Sequence, residues 1–215
     1  MWWRDDDARR PGPRLDRLRA VADGAPLALA VIPEGATGAL FDWCGQARAD
    51  VLQHGIAHRN HQTSGKKAEL GDARAADDIV AALVAARRHL AGAMVLKVLV
   101  PPWNRMREDL AAPLAAAGYR GVSRFGKSRR TAPLLRVDTH IDPIAWRTTR
   151  GLAEPDALDT MADNAITAEG PIGLLTHHID HDEAVWAFLA DFARLVTTHE
   201  GARWASAAEI FGADE

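Results

Sequence analysis

The sequence predicts an α/β fold with a largely parallel sheet covered by helices. Three observations carry that prediction. Seven short, near-continuously apolar segments serve as strand candidates, amphipathic segments lie between most of them, and no internal repeat, low-complexity tract or long Pro/Gly linker breaks the series. A strand buried on both faces reads as an unbroken apolar run, whereas a helix covering it shows a polar outer face.

The strand candidates are residues 2–4, 27–32, 51–54, 95–100, 119–123, 134–137 and 172–176, and the helix candidates are 14–22, 36–47, 77–90, 107–117, 153–162 and 183–197. Several helix candidates are preceded by acidic or small residues that cap free amides. Parallel strands joined by right-handed crossovers leave two architectures open, a compact (β/α) barrel and a doubly wound sheet. The longest polar loop, 58–71, directly follows a strand candidate, where functional loops concentrate.

With 215 residues, 47% hydrophobic and 26% charged, the chain is long enough for one domain with a full core, and residues 1–215 are read as a single catalytic domain. The net charge of -3, from 26 basic and 29 acidic residues, provides no surplus of cations for phosphate neutralisation, so nucleic acid is not an expected partner. The basic run 124–130 reads as a solvated loop. Cys44 is the only cysteine, which excludes an intrachain disulfide, and Phe41 and Trp43 place it in apolar surroundings. The start MWWRDDDARR lacks the apolar core of a secretory signal, and no run is long enough to span a membrane. The expected location is cytoplasmic.

Chemistry collects behind five of the strand candidates. Asp5-Asp6-Asp7 follow the first, and three adjacent carboxylates at the end of a buried strand call for a cation or a proton. His54 and His58 follow the third, at a spacing that puts two imidazoles on one side of a helical turn, with Gly55 to allow a sharp bend and His61 as a possible spare ligand. Pro101-Pro102-Trp103-Asn104-Arg105 follow the fourth; two prolines fix the backbone, so the amide of Trp103 is held in one direction and is suited to an oxyanion. Asp138, His140, Asp142 and Trp146 follow the sixth, as carboxylates that can orient a catalytic group and an aromatic wall for a sugar ring. His177-His178-Ile179-Asp180-His181-Asp182 follow the last and contain material for a general acid near neutral pH. In an α/β fold the carboxyl ends of parallel strands share one face, so the five clusters are expected to converge.

In this order the motifs resemble those of the polysaccharide deacetylases, a family that includes chitin, peptidoglycan and xylan deacetylases. The likeness rests on Asp6-Asp7, His54-Gly-Ile-Ala-His58, Pro102-Trp103-Asn104, the stretch from Asp138 to Trp146, and Leu175-Thr176-His177. It implies a distorted (β/α) barrel of about seven parallel strands. It further implies Asp6 as general base, a divalent ion (zinc or another first-row metal) on Asp7, His54 and His58, the Trp103 amide as oxyanion donor and His177 as the acid that protonates the leaving amine. Pro102, Asn104, Trp146 and His178 would then face the substrate, an acetylated carbohydrate, with Asp138 and His140 in supporting positions.

Three departures from the family pattern leave alternatives. The run Arg4-Asp5-Asp6-Asp7-Ala8 allows Asp5 and Asp6 as the base and ligand pair. The arginine that normally precedes the proline motif and supports the base is replaced by Val100 or Pro101, with Arg4, Arg59 and Arg105 as possible substitutes. The His177-His178 doublet allows either residue as the acid. Without an export signal, the implied substrate is a soluble or lipid-linked sugar intermediate rather than a wall polymer. A second reading is a barrel that binds carbohydrate and keeps the metal but no longer hydrolyses. A zinc peptidase is disfavoured because no glutamate lies between the two histidines.

Overall fold

The computed structural model describes residues 1–90, 95–126, 133–168 and 170–212. Residues 127–130 of the basic run lie outside that set. Seven strands form one sheet in which every pairing is parallel: β1 (Trp2–Ala8), β2 (Leu27–Val31), β3 (Asp50–His54), β4 (Val95–Val100), β5 (Gly121–Val122), β6 (Leu135–Arg136) and β7 (Gly173–Thr176). Their spatial order is β6-β5-β4-β3-β2-β1-β7. Sequential neighbours with β7 beside β1 are the order of a barrel; a doubly wound sheet would reverse direction at a switch point.

The sheet curls toward closure between β6 and β7. Beyond β6, Ile141 bridges Leu174, and the Leu175 amide donates to the Ile141 carbonyl at 2.8 Å. The last seam is thus made by irregular chain rather than a full strand ladder, which is the distortion of this (β/α) barrel.

Helices α1 (Pro13–Ala22), α2 (Gly38–Ala47), α3 (Ala76–Arg87), α4 (Ala111–Ala116), α5 (Pro155–Ile166), α6 (Glu183–Thr198) and α7 (Ala207–Phe211) complete the chain. The expected helix at 107–117 is divided into a 3-10 turn, Glu108–Leu110, and α4. Pro113, which has no N–H to donate, sits in that first α-turn and accounts for the tighter start. α7 escapes the periodicity because it is only one turn long, although Ser206 and Glu209 form a capping box around its N-terminus. No helix among the described residues is long and apolar enough to cross a membrane.

Alternation along the strands separates two cores. Trp2, Ala28, Ala30, Leu52, Val98 and Val100 pack inside the barrel with Phe211 of α7. The Phe211 ring meets Trp2 edge-on at 6.0 Å, which plugs the amino end of the barrel. Trp3, Leu27, Leu29, Val31 and Val51 face outward to Leu15, Leu18, Leu40, Trp186 and Leu189 of the helix layer. With one end plugged, the carboxyl end is the open mouth.

Candidate functional site

The acidic run lies inside β1, which extends to Ala8, and does not follow a strand that stops at Arg4. In a regular strand, successive side chains face opposite sides. Arg4 and Asp6 therefore share the inner face. Arg4 is fully buried and grips Asp6 with two bonds, Nε to Oδ1 at 2.8 Å and Nη2 to Oδ2 at 3.1 Å. Its other donors reach Ser123 Oγ at 2.6 Å, the Arg124 carbonyl and Asn104 Oδ1 at 2.9 Å. Every donor direction of this buried guanidinium is thus used, and Asp6 is fixed.

Asp5 faces outward. Its carboxylate accepts from Thr176 Oγ1 at 2.7 Å and from the His178 backbone amide at 3.0 Å, and pairs with His178 Nδ1 at 2.5 Å. Burial pushes the Asp5 carboxyl up, but His178 outweighs it and holds the group below its usual range; the same pairing raises His178 against its own burial. Asp5 and His178 therefore form a buried ion pair between barrel and helix layer.

Asp7 should follow Asp5 outward and does not, because β1 bulges. Asp5 pairs with Leu29 and Ala8 with Val31, so three steps on β1 match two on β2, and Asp7 takes a φ of 74°. The bulge turns Asp7 back to the mouth beside Asp6.

His54 ends β3, and its Nδ1 lies 3.0 Å from the Val100 carbonyl, which can only accept. Nδ1 therefore carries the proton and Nε2 presents its lone pair to the mouth. His58 reaches the same point from a loop, not from the expected helical turn, since residues 55–60 contain no helix. Gly55 (φ 59°) and His58 (φ 57°) both adopt left-handed backbone. At Gly55 a Cβ would lie 2.2 Å from Glu69 Oε2 and 2.5 Å from Pro102 Cγ, so only glycine fits.

Asp7 Oδ1 lies 3.2 Å from His54 Nε2 and 3.4 Å from His58 Nε2, and the three ligand atoms fall within 4.8 Å of one another. Although buried, Asp7 Oδ1 has no hydrogen-bond partner. An orphaned carboxylate oxygen facing two imidazole nitrogens is a donor set that fits a divalent cation. The same demand for positive charge appears in the titration of His54: burial lowers it, but Asp6 and Asp7 prevail and raise it.

The cluster opens onto a cleft of about 720 Å³ that is also lined by Asp6, Trp103, Asn104, Asp142, Trp146 and His177. The Trp103 ring packs on His58 at 4.3 Å. Its backbone sits at a φ of 54°, in a turn closed by the amides of Asn104 and Arg105 on the carbonyls of Pro101 and Pro102. Across the cleft, His177 packs edge-on against Trp146 at 4.7 Å, and Trp146 Nε1 donates to Asp142 Oδ2 at 2.7 Å. Burial raises the Asp142 carboxyl, partly offset by the nearby His177. The His177 amide donates to His181 Nε2 at 3.2 Å, and His181, lowered by burial to about 4, is neutral over the physiological range.

No protein-family model matches the chain, and no curated protein sequence does. Solved structures do. A peptidoglycan N-acetylglucosamine deacetylase superposes with a TM-score of 0.59 at 16% identity, covering 99% of this chain and 87% of its own. A family 4 acetyl xylan esterase from Clostridium thermocellum, in complex with a cobalt ion, gives 0.60 at 12% identity, covering 98% and 90%. A mutant of a family 4 pseudoenzyme gives 0.64 at 16%, covering 98% and 67%. The fold is that of the family 4 carbohydrate esterases.

Within this carbohydrate-esterase fold, five sequence-predicted residues converge at one mouth, namely Asp6, Asp7, His54, His58 and His177, with Trp103, Asn104 and Trp146 on the same cleft. Others do not. His178 is withdrawn from the large cleft by Asp5 and lines a smaller neighbouring one. Asp138 is fully buried and bound to the Arg124 amide and to Arg136, and His140 accepts from the Gly173 amide, so neither lines the cleft and Asp142 takes that place. Pro102 is buried behind Gly55. Arg59 lies near Glu34, and Arg105 donates to the Lys67 carbonyl, which leaves Arg4 as the partner of Asp6 among the three arginines considered. His61 lies outside the Asp7, His54 and His58 cluster.

Glu69 has no counterpart among the residues singled out from the sequence. It is buried, and its two oxygens accept from the amides of Ile56 (2.9 Å), Ala57 (2.9 Å) and Arg59 (3.2 Å), fastening the loop that carries His58. A lone glutamate in a polar loop carries no periodic signal, and its partners lie 10 to 13 residues away.

Proposed function

We propose that the chain is a metal-dependent hydrolase that removes acetyl groups from an N- or O-acetylated sugar. The observation that carries this reading is the convergence of Asp7, His54 and His58 around an unpartnered carboxylate oxygen, beside an arginine-clamped Asp6 and across a cleft from His177. When bound, a divalent ion such as zinc supplies Lewis-acid chemistry, polarising the acyl carbonyl and acidifying water.

Asp6 is the general base. Two bonds from Arg4 hold its carboxylate in one orientation, the preorganisation that proton abstraction requires. The Trp103 amide, set by the proline turn, donates to the carbonyl oxygen as charge develops there. His177 gives a proton to the departing nitrogen or oxygen, while Trp146 and Trp103 offer flat apolar faces to the sugar.

The test is acetate release from acetylated chito-oligosaccharide and acetylated xylan by metal-loaded protein and by Asp6→Asn. The reading requires release by the wild type and a loss of about 10² or more in the variant. A wild type that binds the oligosaccharide but releases nothing would favour the non-hydrolysing barrel, and a family 4 pseudoenzyme is among the similar structures.

A further inference from the structure

Four basic side chains, Lys67, Arg105, Arg147 and Arg150, line the large cleft, although the chain as a whole has a net charge of -3. The acidic groups on the same lining are each accounted for. Asp6 is neutralised by Arg4, Asp180 pairs with Arg150 at 2.8 Å, and Asp7 belongs to the cation cluster. Asp142 is buried and engaged by Trp146 and the Ile144 amide. Among the described residues Lys67, Arg105 and Arg147 have no carboxylate partner, and the only hydrogen bond from the Arg105 side chain goes to the Lys67 carbonyl, which holds its guanidinium beside the lysine. These three cations outnumber the two lining carboxylates that no lysine or arginine pairs with, Asp7 and Asp142, so the concave site keeps a positive balance, and a cation in the Asp7 cluster would add to it.

We infer that the acetylated sugar this cleft takes carries an anionic group, a carboxylate or a phosphate, which is met by Lys67, Arg105 and Arg147. The inference rests on the proposed hydrolase reading and narrows its substrate class. A neutral glycan would leave three basic groups to water, whereas an anionic one gains two guanidinium forks and an ammonium. Lys67 and Arg147 are exposed and Arg105 is half-buried, so each contributes modestly and the gain is salt-dependent.

The test uses metal-loaded Asp6→Asn protein, so that binding is read without turnover. The probes are N-acetylglucosamine, its 6-phosphate and its uronic acid, with Kd measured by calorimetry at low and high salt. The expected result is binding of both anionic sugars about tenfold tighter than the neutral one at low salt. The preference should shrink at high salt and fall several-fold in Lys67→Gln/Arg147→Gln, while the neutral sugar is held as before. Preference for the phosphate alone identifies a phosphate site, and equal preference identifies a site for anionic charge in general. Equal affinity for all three sugars, or a preference untouched by the double substitution, would overturn the inference and leave the hydrolase reading standing. Binding of none of them would overturn the inference, and acetate release by the wild type decides the hydrolase reading separately.

Discussion

Asp5 looks like one member of an acidic run, yet its geometry assigns it to stability. Asp5→Asn keeps the shape but puts an amide where an oxygen faces His178 Nδ1. His178 must then turn its proton to the other nitrogen and lose its charge. Loss of one charge-assisted buried bond costs about 1.5 to 3 kcal/mol. For a domain of this size that corresponds to about 3 to 12 °C in Tm.

The pH dependence adds a second constraint. The folded-state pKa of Asp5 is depressed, so its contribution is present above the ordinary 3.8 and fades as pH falls through the depressed value. That of His178 is raised, so its contribution is present below the ordinary 6.5 and is lost as pH rises through the elevated value. The Tm difference between wild type and Asp5→Asn should thus be largest between these two values and shrink in alkali. Thermal unfolding of metal-stripped protein followed by circular dichroism reads it without ligand linkage. A variant as stable as wild type, or a gap that stays constant from about pH 5 to about pH 9, would refute the ion-pair argument.

Other expectations follow from the same geometry. Glu69→Gln replaces a three-amide acceptor by a group with one oxygen, so the His58 loop should loosen and metal affinity fall about 10 to 100-fold in a chelator competition, with the fold retained; unchanged affinity would mean that Glu69 does not position His58. His177→Ala should cut release of acetate from an N-acetyl sugar by about 10² to 10⁴ while sparing much of the activity on an activated phenyl ester, whose leaving group needs no proton. Equal losses on both substrates would point to a structural role. His178→Ala should instead lower Tm, because it strands Asp5 in the interior.

The parts of the site delivered by strand ends were legible in the sequence because a parallel barrel gathers those ends at one mouth. His54, Trp103 and His177 each follow an apolar run, and that position alone brought them together. What periodicity could not show was the bulge at Asp7. Strict alternation would have sent Asp7 outward with Asp5, and only the left-handed backbone there brings it beside Asp6. The choice among Arg4, Arg59 and Arg105 also needed coordinates, since Arg4 serves Asp6 through the two-residue repeat of its own strand while Arg59 turns to Glu34 and Arg105 to the Lys67 carbonyl. Asp142 was visible as part of a cluster, but its selection over Asp138 depends on which carboxylate β6 turns toward Arg136.

Asp7, His54 and His58 form a donor set for one divalent ion. Elemental analysis of protein purified without added metal, then reloaded and desalted, tests it most directly in the wild type, His54→Ala, His58→Ala and Asp6→Asn. The wild type and Asp6→Asn should carry about one equivalent, and both histidine variants should lose most of it. Metal content unchanged in His54→Ala and His58→Ala would contradict it.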